Sequence, residues 1–447
     1  MSYNTTSRLA DARATLNLAW PIMVTQLAQI GTSFVDATMA GHYSPVDLAA
    51  VSVGGSIWVA LMVTLVGLTL ALNPLVSHRY GAGDLASIPT VVQQALWQAL
   101  AFSVAGIALA WLIAPFFSLT GLEAQAAEKA TDFLRAVVWG LPALAIHRVL
   151  AGYSASLNHT RPMMYIALFG LALNVPANWV LIYGKLGFPE LGGVGCGYAT
   201  AFCLWISTAL LAAWIRWSPA YASTRPRYRL QRPDQALQHQ LFRLGLPIGV
   251  VFLVEVSAFG LVALLIAPFG AFQVAAHQIA LNITGIAFMI PSALGHALTV
   301  RIGQALGRGD PGQARRTSLT GIYMGWGYAL LSALLIGTLK QPITTLYTSD
   351  AGVQALAVQL LVYAAIFQLG DASQVIIASV LRGYKVTRWP MGIYVCAFWI
   401  AGLPLGYLLA HAYGQAAAGF WQSLLLALAI ASALLYWLFE RESRRLL

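Results

Sequence analysis

The sequence predicts an all-α polytopic membrane protein, and three observations carry that prediction. Apolar runs of about 20 residues, the length a helix needs to cross hydrocarbon, recur down almost the whole chain between short polar joints. Charged residues make up only 9% of the 447 residues, against about 25% in an ordinary soluble domain. The basic residues collect on alternate joints. A membrane β-barrel would instead show alternation over segments of about 10 residues, and no stretch is left over for a soluble domain of useful size.

Taken in order, the runs predict about twelve spans, at 16–40, 50–76, 92–116, 130–154, 162–184, 194–217, 243–268, 275–300, 316–338, 354–380, 389–411 and 417–439. An even number puts both termini on one side. On that side fall Arg8, Arg13, Arg79, Arg161, the cluster Arg225, Arg227, Arg229 and Arg232, then Arg301, Arg308, Arg315, Arg316, Arg382, Lys385, Arg388, Arg441, Arg444 and Arg445. The opposite joints hold little beyond Lys129, Arg135, Lys185 and Lys340, with acids such as Asp47, Glu123, Glu128, Glu190 and Asp350. By the positive-inside rule both termini are expected to be cytoplasmic. The net charge of +10 therefore reads as a topology signal, not as a nucleic-acid surface.

The longest polar joint, 218–242, carries prolines and most of the arginine density, and reads as a basic cytoplasmic linker between an N-lobe at 1–217 and a C-lobe at 243–447. An internal repeat supports the division. Trp20-Pro21-Ile22 aligns with Leu246-Pro247-Ile248, Ala49-Ala50 with Ala275-Ala276, and Gly81-Ala82-Gly83-Asp84 with Gly307-Arg308-Gly309-Asp310, all at an offset of 226. Six spans per half keep the second half in the orientation of the first. That predicts parallel six-helix lobes around a central cleft, an arrangement secondary transporters use.

Cysteine contributes no chemistry here: Cys196, Cys203 and Cys396 lie in or beside apolar runs without metal-ligand spacing or an evident disulfide. The N-terminal stretch lacks an apolar signal-peptide core with a cleavage site, so the first run is expected to remain as a span.

The candidate site is built from polar groups that hydrocarbon disfavours. Of fifteen acids, three fall well inside spans: Asp36 in the first, Glu255 in the seventh and Asp371 in the tenth. An acidic residue at a bilayer centre costs about 2.5–3.5 kcal/mol on insertion scales, and such residues are functional by default. The intramembrane bases His147 and Arg148 sit at a depth that does not serve all three, which leaves the acids without evident counter-charges. In low dielectric such a carboxylate holds a proton until a cation or a water-filled state relieves it, the behaviour of a coupling-ion site. Sodium is the alternative ion, since hard cations take oxygen ligands. Asn174 and Asn178, one turn apart on one face of a helix, could supply amide oxygens beside Asp36, and Gln278 and Asn282 repeat that spacing in the second half. Interhelical hydrogen bonding is the structural alternative for both pairs.

The order of Pro21, Asp36, Met39-Ala40-Gly41, Asn73-Pro74 and the Gly81–Asp84 turn, with the echo at 275–282 and 307–310, resembles the multidrug and toxic compound extrusion family, specifically its NorM branch. The resemblance spans nearly the whole chain. It implies two six-helix lobes around a cleft and export of bulky organic cations in exchange for sodium or protons. Residue by residue, it makes Asp36 with Asn174 and Asn178 the polar site of the N-lobe, and Glu255 with Asp371 the cation site of the C-lobe, where sodium would bind. It also singles out Phe288 and Phe367, where some relatives carry tyrosine; without the hydroxyl, proton coupling stays open.

The function expected is a secondary multidrug antiporter of the bacterial inner membrane, a monomer with no cofactor, whose partners are hydrophobic organic cations and membrane lipid and not nucleic acid. A lipid-linked precursor flippase of related architecture would need a basic cleft, whereas the intramembrane charges here are mainly acidic. An intramembrane aspartyl protease would need a G-x-G-D pattern, and Gln368 breaks it.

Overall fold

The computed structural model describes residues 8–119, 123–226 and 231–447. Arg227 and Arg229 of the expected linker lie outside the described residues. Fifteen α-helices follow one another among the described residues: α1 Arg8–Tyr43, α2 Pro45–Thr69, α3 Leu72–Gly81, α4 Ile88–Ile113, α5 Ala124–Val137, α6 Leu141–Ser156, α7 Arg161–Ile182, α8 Gly193–Trp217, α9 Gln235–Ile266, α10 Ala271–Gly307, α11 Pro311–Tyr347, α12 Ala351–Gly383, α13 Arg388–Tyr394, α14 Leu403–His411 and α15 Ala416–Arg445. Several of these join end to end. α2 with α3, α5 with α6, and α13 with α14 each form one continuous crossing, so that eleven segments are long and apolar enough to span a membrane. The chain is an integral, multi-pass membrane protein. α1, with 36 residues, is the remaining expected span and is not among the eleven; Thr25, Gln26, Gln29, Thr32, Ser33 and Asp36 make its run more polar.

The prolines divide into two groups. Pro21, Pro176, Pro247 and Pro291 sit inside continuous helices, where the lost N–H bond is tolerated in membrane helices but bends them. Pro142 and Pro404 occupy the first turns of α6 and α14, where no partner for the missing N–H is needed. Ahead of Pro404 the helix widens into a π segment, Val395–Gly402, since the proline cannot continue the regular ladder. The echo turns match in conformation as well as sequence: Gly83 and Gly309 both adopt left-handed φ, +76° and +74°, which glycine takes without steric cost. Asp310 then caps α11 through Gln313 N at 2.7 Å.

Packing groups the chain into two compact units. One comprises Val24–Gly249; the other comprises Val250–Leu447 with the described residues up to Met23. The two changeover points are repeat-equivalent, since 249 − 23 = 226, and each falls two residues after a helix-interior proline, Pro21 or Pro247. α1 and α9 therefore each divide their length between the units, so packing does not follow the sequence halves. A buried ion pair explains why the start of α1 belongs with the second unit. Asp11 accepts from Arg301 Nη2 at 2.7 Å and from Gln313 Nε2 at 2.9 Å, and its carboxylate side chain is only 4% exposed. In the first unit the start of α9 is held by amides: Gln238 Nε2 donates to Gln94 O at 2.8 Å, and Gln94 Oε1 accepts from Asp234 N at 2.9 Å.

The core of the first unit centres on Leu72, Val76, Ile88, Leu134, Leu141 and Tyr153. Small residues let helix backbones approach, as in other membrane bundles. At Gly195 on α8 a Cβ would stand 2.7 Å from the carbonyl carbon and oxygen of Leu181 on α7. Asp47, fully buried, ties the starts of α2 and α8 to α5 by accepting from Gly193 N and Lys129 Nζ, both at 2.7 Å. In the second unit Trp421, Phe420, Phe398 and Phe439 are fully buried.

Gly195→Leu should push α7 from α8 and lower stability by about 1–3 kcal/mol, read as a fall in the melting temperature of the detergent-purified protein. Arg301→Ala leaves Asp11 buried and unpaired, at a cost of about 3–5 kcal/mol; an unchanged melting curve would show that the start of α1 is not anchored by this pair.

Candidate functional site

Each unit contains a cluster built around intramembrane acids. In the first, Asp36 on α1 meets α7 and α8. Its Oδ1 accepts from Asn178 Nδ2 at 2.6 Å and Asn174 Nδ2 at 3.1 Å, and its Oδ2 accepts from Thr200 Oγ1 at 2.8 Å. The i, i+4 spacing on α7 stacks the two amides on one face, where Asn178 Nδ2 also donates to Asn174 Oδ1 at 2.9 Å. Both asparagines are fully buried. The expected trio does come together, with one difference in chemistry. The amides present nitrogens to Asp36, so they brace the carboxylate by donation; only Asn178 Oδ1 is buried without a partner. Cys196 Sγ lies 3.6 Å from the backbone oxygen of Asp36, which places the α8 start, fixed by Gly195 and Gly193, directly beside the site.

In the second unit, Glu255 on α9 and Asp371 on α12 share one donor. Gln374 Nε2 lies 3.2 Å from Glu255 Oε1 and 3.3 Å from Asp371 Oδ1. Gln374 sits one turn beyond Asp371 and is 1% exposed, and its own Oε1 is buried without a partner. Arg382, at the end of α12, interacts electrostatically with Glu255, as does Tyr394 on α13. Neither carboxylate forms an ion pair among the described residues; Arg382, at the end of the α12 run, donates to Ser379 Oγ and acts on Glu255 only through its longer-range charge.

Phe367 is 3% exposed and packs edge-on against Phe259 at 6.1 Å and Trp421 at 5.6 Å. It forms an aromatic wall one turn before Asp371. Phe288 is partly buried on α10. Gln278 and Asn282 also lie on α10 but remain exposed, and neither hydrogen-bonds to the Glu255–Asp371 pair among the described residues. The sequence pairing of these amides with the second acidic site is therefore not the one formed; Gln374 takes that position. Trp399 Nε1 donates to Val254 O at 3.2 Å, so the π segment braces α9 beside Glu255. Such segments are frequent at functional sites.

Among the described residues no group of three or more His, Cys, Asp or Glu side chains could hold a metal. Thr200, Gln374, Arg382 and Tyr394 are the site residues that sequence reasoning missed. Gln374 alone had a local signal, its i, i+3 relation to Asp371.

Helical spans, a twofold repeat and paired intramembrane acids define a secondary transporter and not an enzyme. The MatE family model matches residues 21–180 and 247–408, and the chain belongs to this family, with the NorM type as its nearest description among the relatives below. It is 40% identical over 442 residues to a probable multidrug resistance protein NorM from Chromobacterium violaceum, covering 98% of this chain and 95% of that one. It is 40% identical over 441 residues to the multidrug resistance protein PmpM from Pseudomonas aeruginosa, covering 98% and 92%. In fold it resembles the eukaryotic MATE transporter AtDTX14, with a TM-score of 0.89 at 18% identity over 98% of both chains. A multidrug resistance MATE transporter solved in an outward-facing conformation gives 0.88 at 19% identity, covering 98% and 96%.

Asn178→Leu removes the shortest bond to Asp36 and should cost about 1–3 kcal/mol, while Thr200→Val, close in shape, should cost less. Thermal melts of the two variants rank these contributions; equal, negligible shifts would mean that α7 does not hold Asp36.

Proposed function

We propose that this protein is a multidrug efflux antiporter that exports bulky organic cations in exchange for a proton or sodium, with Glu255, Asp371 and Asp36 as the shared cation and proton sites. The observation that carries the reading is the single amide of Gln374 shared between Glu255 and Asp371. Two carboxylates that share one donor cannot both be ionised without cost, and a proton or a monovalent cation relieves that cost. An organic cation and a coupling ion then compete for the same charge. The names of the relatives support the drug class, and Phe259, the partly exposed ring of the aromatic group beside the site, suits flat cations through ring-face contact.

Exchange also requires that each ligand prefer one conformation, since equal affinity for both states shifts nothing. The two packed units, Val24–Gly249 and Val250–Leu447 with the described residues up to Met23, are the moving parts in this reading, with both termini cytoplasmic in the bacterial inner membrane and the monomer as the working unit. One charge moved through 100 mV is worth about 2.3 kcal/mol, roughly a 50-fold gradient; exchange of one coupling ion for one monovalent organic cation moves no net charge and draws on the ion gradient alone, whereas two coupling ions per organic cation add this contribution.

Glu255→Gln and Asp371→Asn should each reduce ethidium export from energised cells to less than about a tenth at normal membrane abundance; full export by either would sink the assignment. In proteoliposomes, sodium and proton gradients imposed separately identify the coupling ion: export driven by only one names it, and export driven by neither contradicts antiport.

A further inference from the structure

Intramembrane charge in the first unit is not all negative. Arg148 lies inside α6, about 12 Å before the helix ends at Ser156, taking 1.5 Å per residue. Its guanidinium is always charged, and a cation in an apolar span is costly unless an acid sits against it. None of the ion pairs among the described residues includes Arg148. Its Nη2 donates instead to the neutral Oε1 of Gln29 on α1, at 3.0 Å.

Donors outnumber acceptors around this contact. Arg148 Nε is buried without a partner, and so is Gln26 Nε2, one turn before Gln29 on α1. The neighbouring His147, 8% exposed, has its Nδ1 buried and unpartnered as well. A guanidinium Nε and an amide nitrogen left without acceptors call for an oxyanion, because a carboxylate or phosphate accepts several hydrogen bonds and matches the guanidinium fork. The same helix supplies the opposite charge. Asp36 is seven residues beyond Gln29 on α1, which is two turns along the same face and about 10 Å in rise. Both groups belong to the Val24–Gly249 unit, so one helix carries an acid and an arginine contact at a spacing suited to a drug-sized zwitterion.

We propose that Arg148, with Gln26 and Gln29, forms an oxyanion subsite that receives the carboxylate of zwitterionic amphiphiles whose cationic end is balanced at Asp36. This specificity rests on the efflux reading above. A lipid headgroup phosphate has the same chemistry, and a matched pair of dyes separates the two sources. Tetramethylrhodamine methyl ester is a cation, and tetramethylrhodamine free acid is the zwitterion of nearly the same shape.

The measurement is the ratio of free-acid to ester export by proteoliposomes. Arg148→Gln should lower that ratio about tenfold, and Arg148→Lys, which keeps the charge but loses the fork, should lower it less. The double variant Gln26→Leu/Gln29→Leu tests the same subsite from α1 and should move the ratio in the same direction. A ratio within about twofold of the unmodified protein overturns the proposal, whether both dyes are lost together, as for a scaffold residue, or neither is, as for a headgroup contact. Fluorescence anisotropy of the two dyes on the detergent-purified proteins gives the ratio without transport. It decides the subsite even where no export is driven, a result that would count against the antiport reading alone.

Discussion

The structure depends on one constraint: hydrocarbon offers no hydrogen-bond partner, so every polar group inside it must find one within the protein. For the backbone this dictates helices. For side chains it dictates that a carboxylate in a span draw donors from neighbouring helices, and both acidic clusters are built this way. Asp36 gathers three side-chain donors from α7 and α8, and Gln374 reaches both Glu255 and Asp371. The close helix contact at Gly195 follows from the same need, since Thr200 can reach Asp36 only if α8 lies against α7.

The clusters differ in how they handle charge. Asp36 has neutral donors alone within hydrogen-bonding distance, so its charge is braced but not cancelled. Glu255 and Asp371 share one neutral amide, so two acids draw on a single side-chain donor. In the antiport proposed above, each protonation or ion-binding step relieves that crowding of charge. Arg148 is the inverse, a cation with a neutral partner, and it extends the same reasoning from the coupling ion to the substrate.

The repeat is legible in packing as well as in sequence. α1 and α9 each change from one unit to the other two residues beyond a proline, at positions separated by the sequence offset. The anchors are not copies. Asp11 is held by Arg301 and Gln313, whereas the start of α9 is held through Gln94, Gln238 and Asp234. Two different local chemistries therefore keep the same architecture, since the requirement is a satisfied polar group at the helix start and not a particular residue.

The sequence by itself determined the class of fold, the repeat and the three acids, because span length, charge bias and the rarity of intramembrane carboxylates are properties of the linear chain. It also put Asn174 and Asn178 on one helix face by their spacing of four, and the family resemblance assigned that face to Asp36. What only the tertiary structure decided was which groups from different helices meet. Thr200 with Asp36, Gln374 with both Glu255 and Asp371, and the exclusion of Gln278 and Asn282 from that pair all depend on how helices rotate and pack. No periodicity records a helix's rotation about its own axis relative to a distant neighbour; that is set by side-chain packing, and the chemistry of the site follows from it.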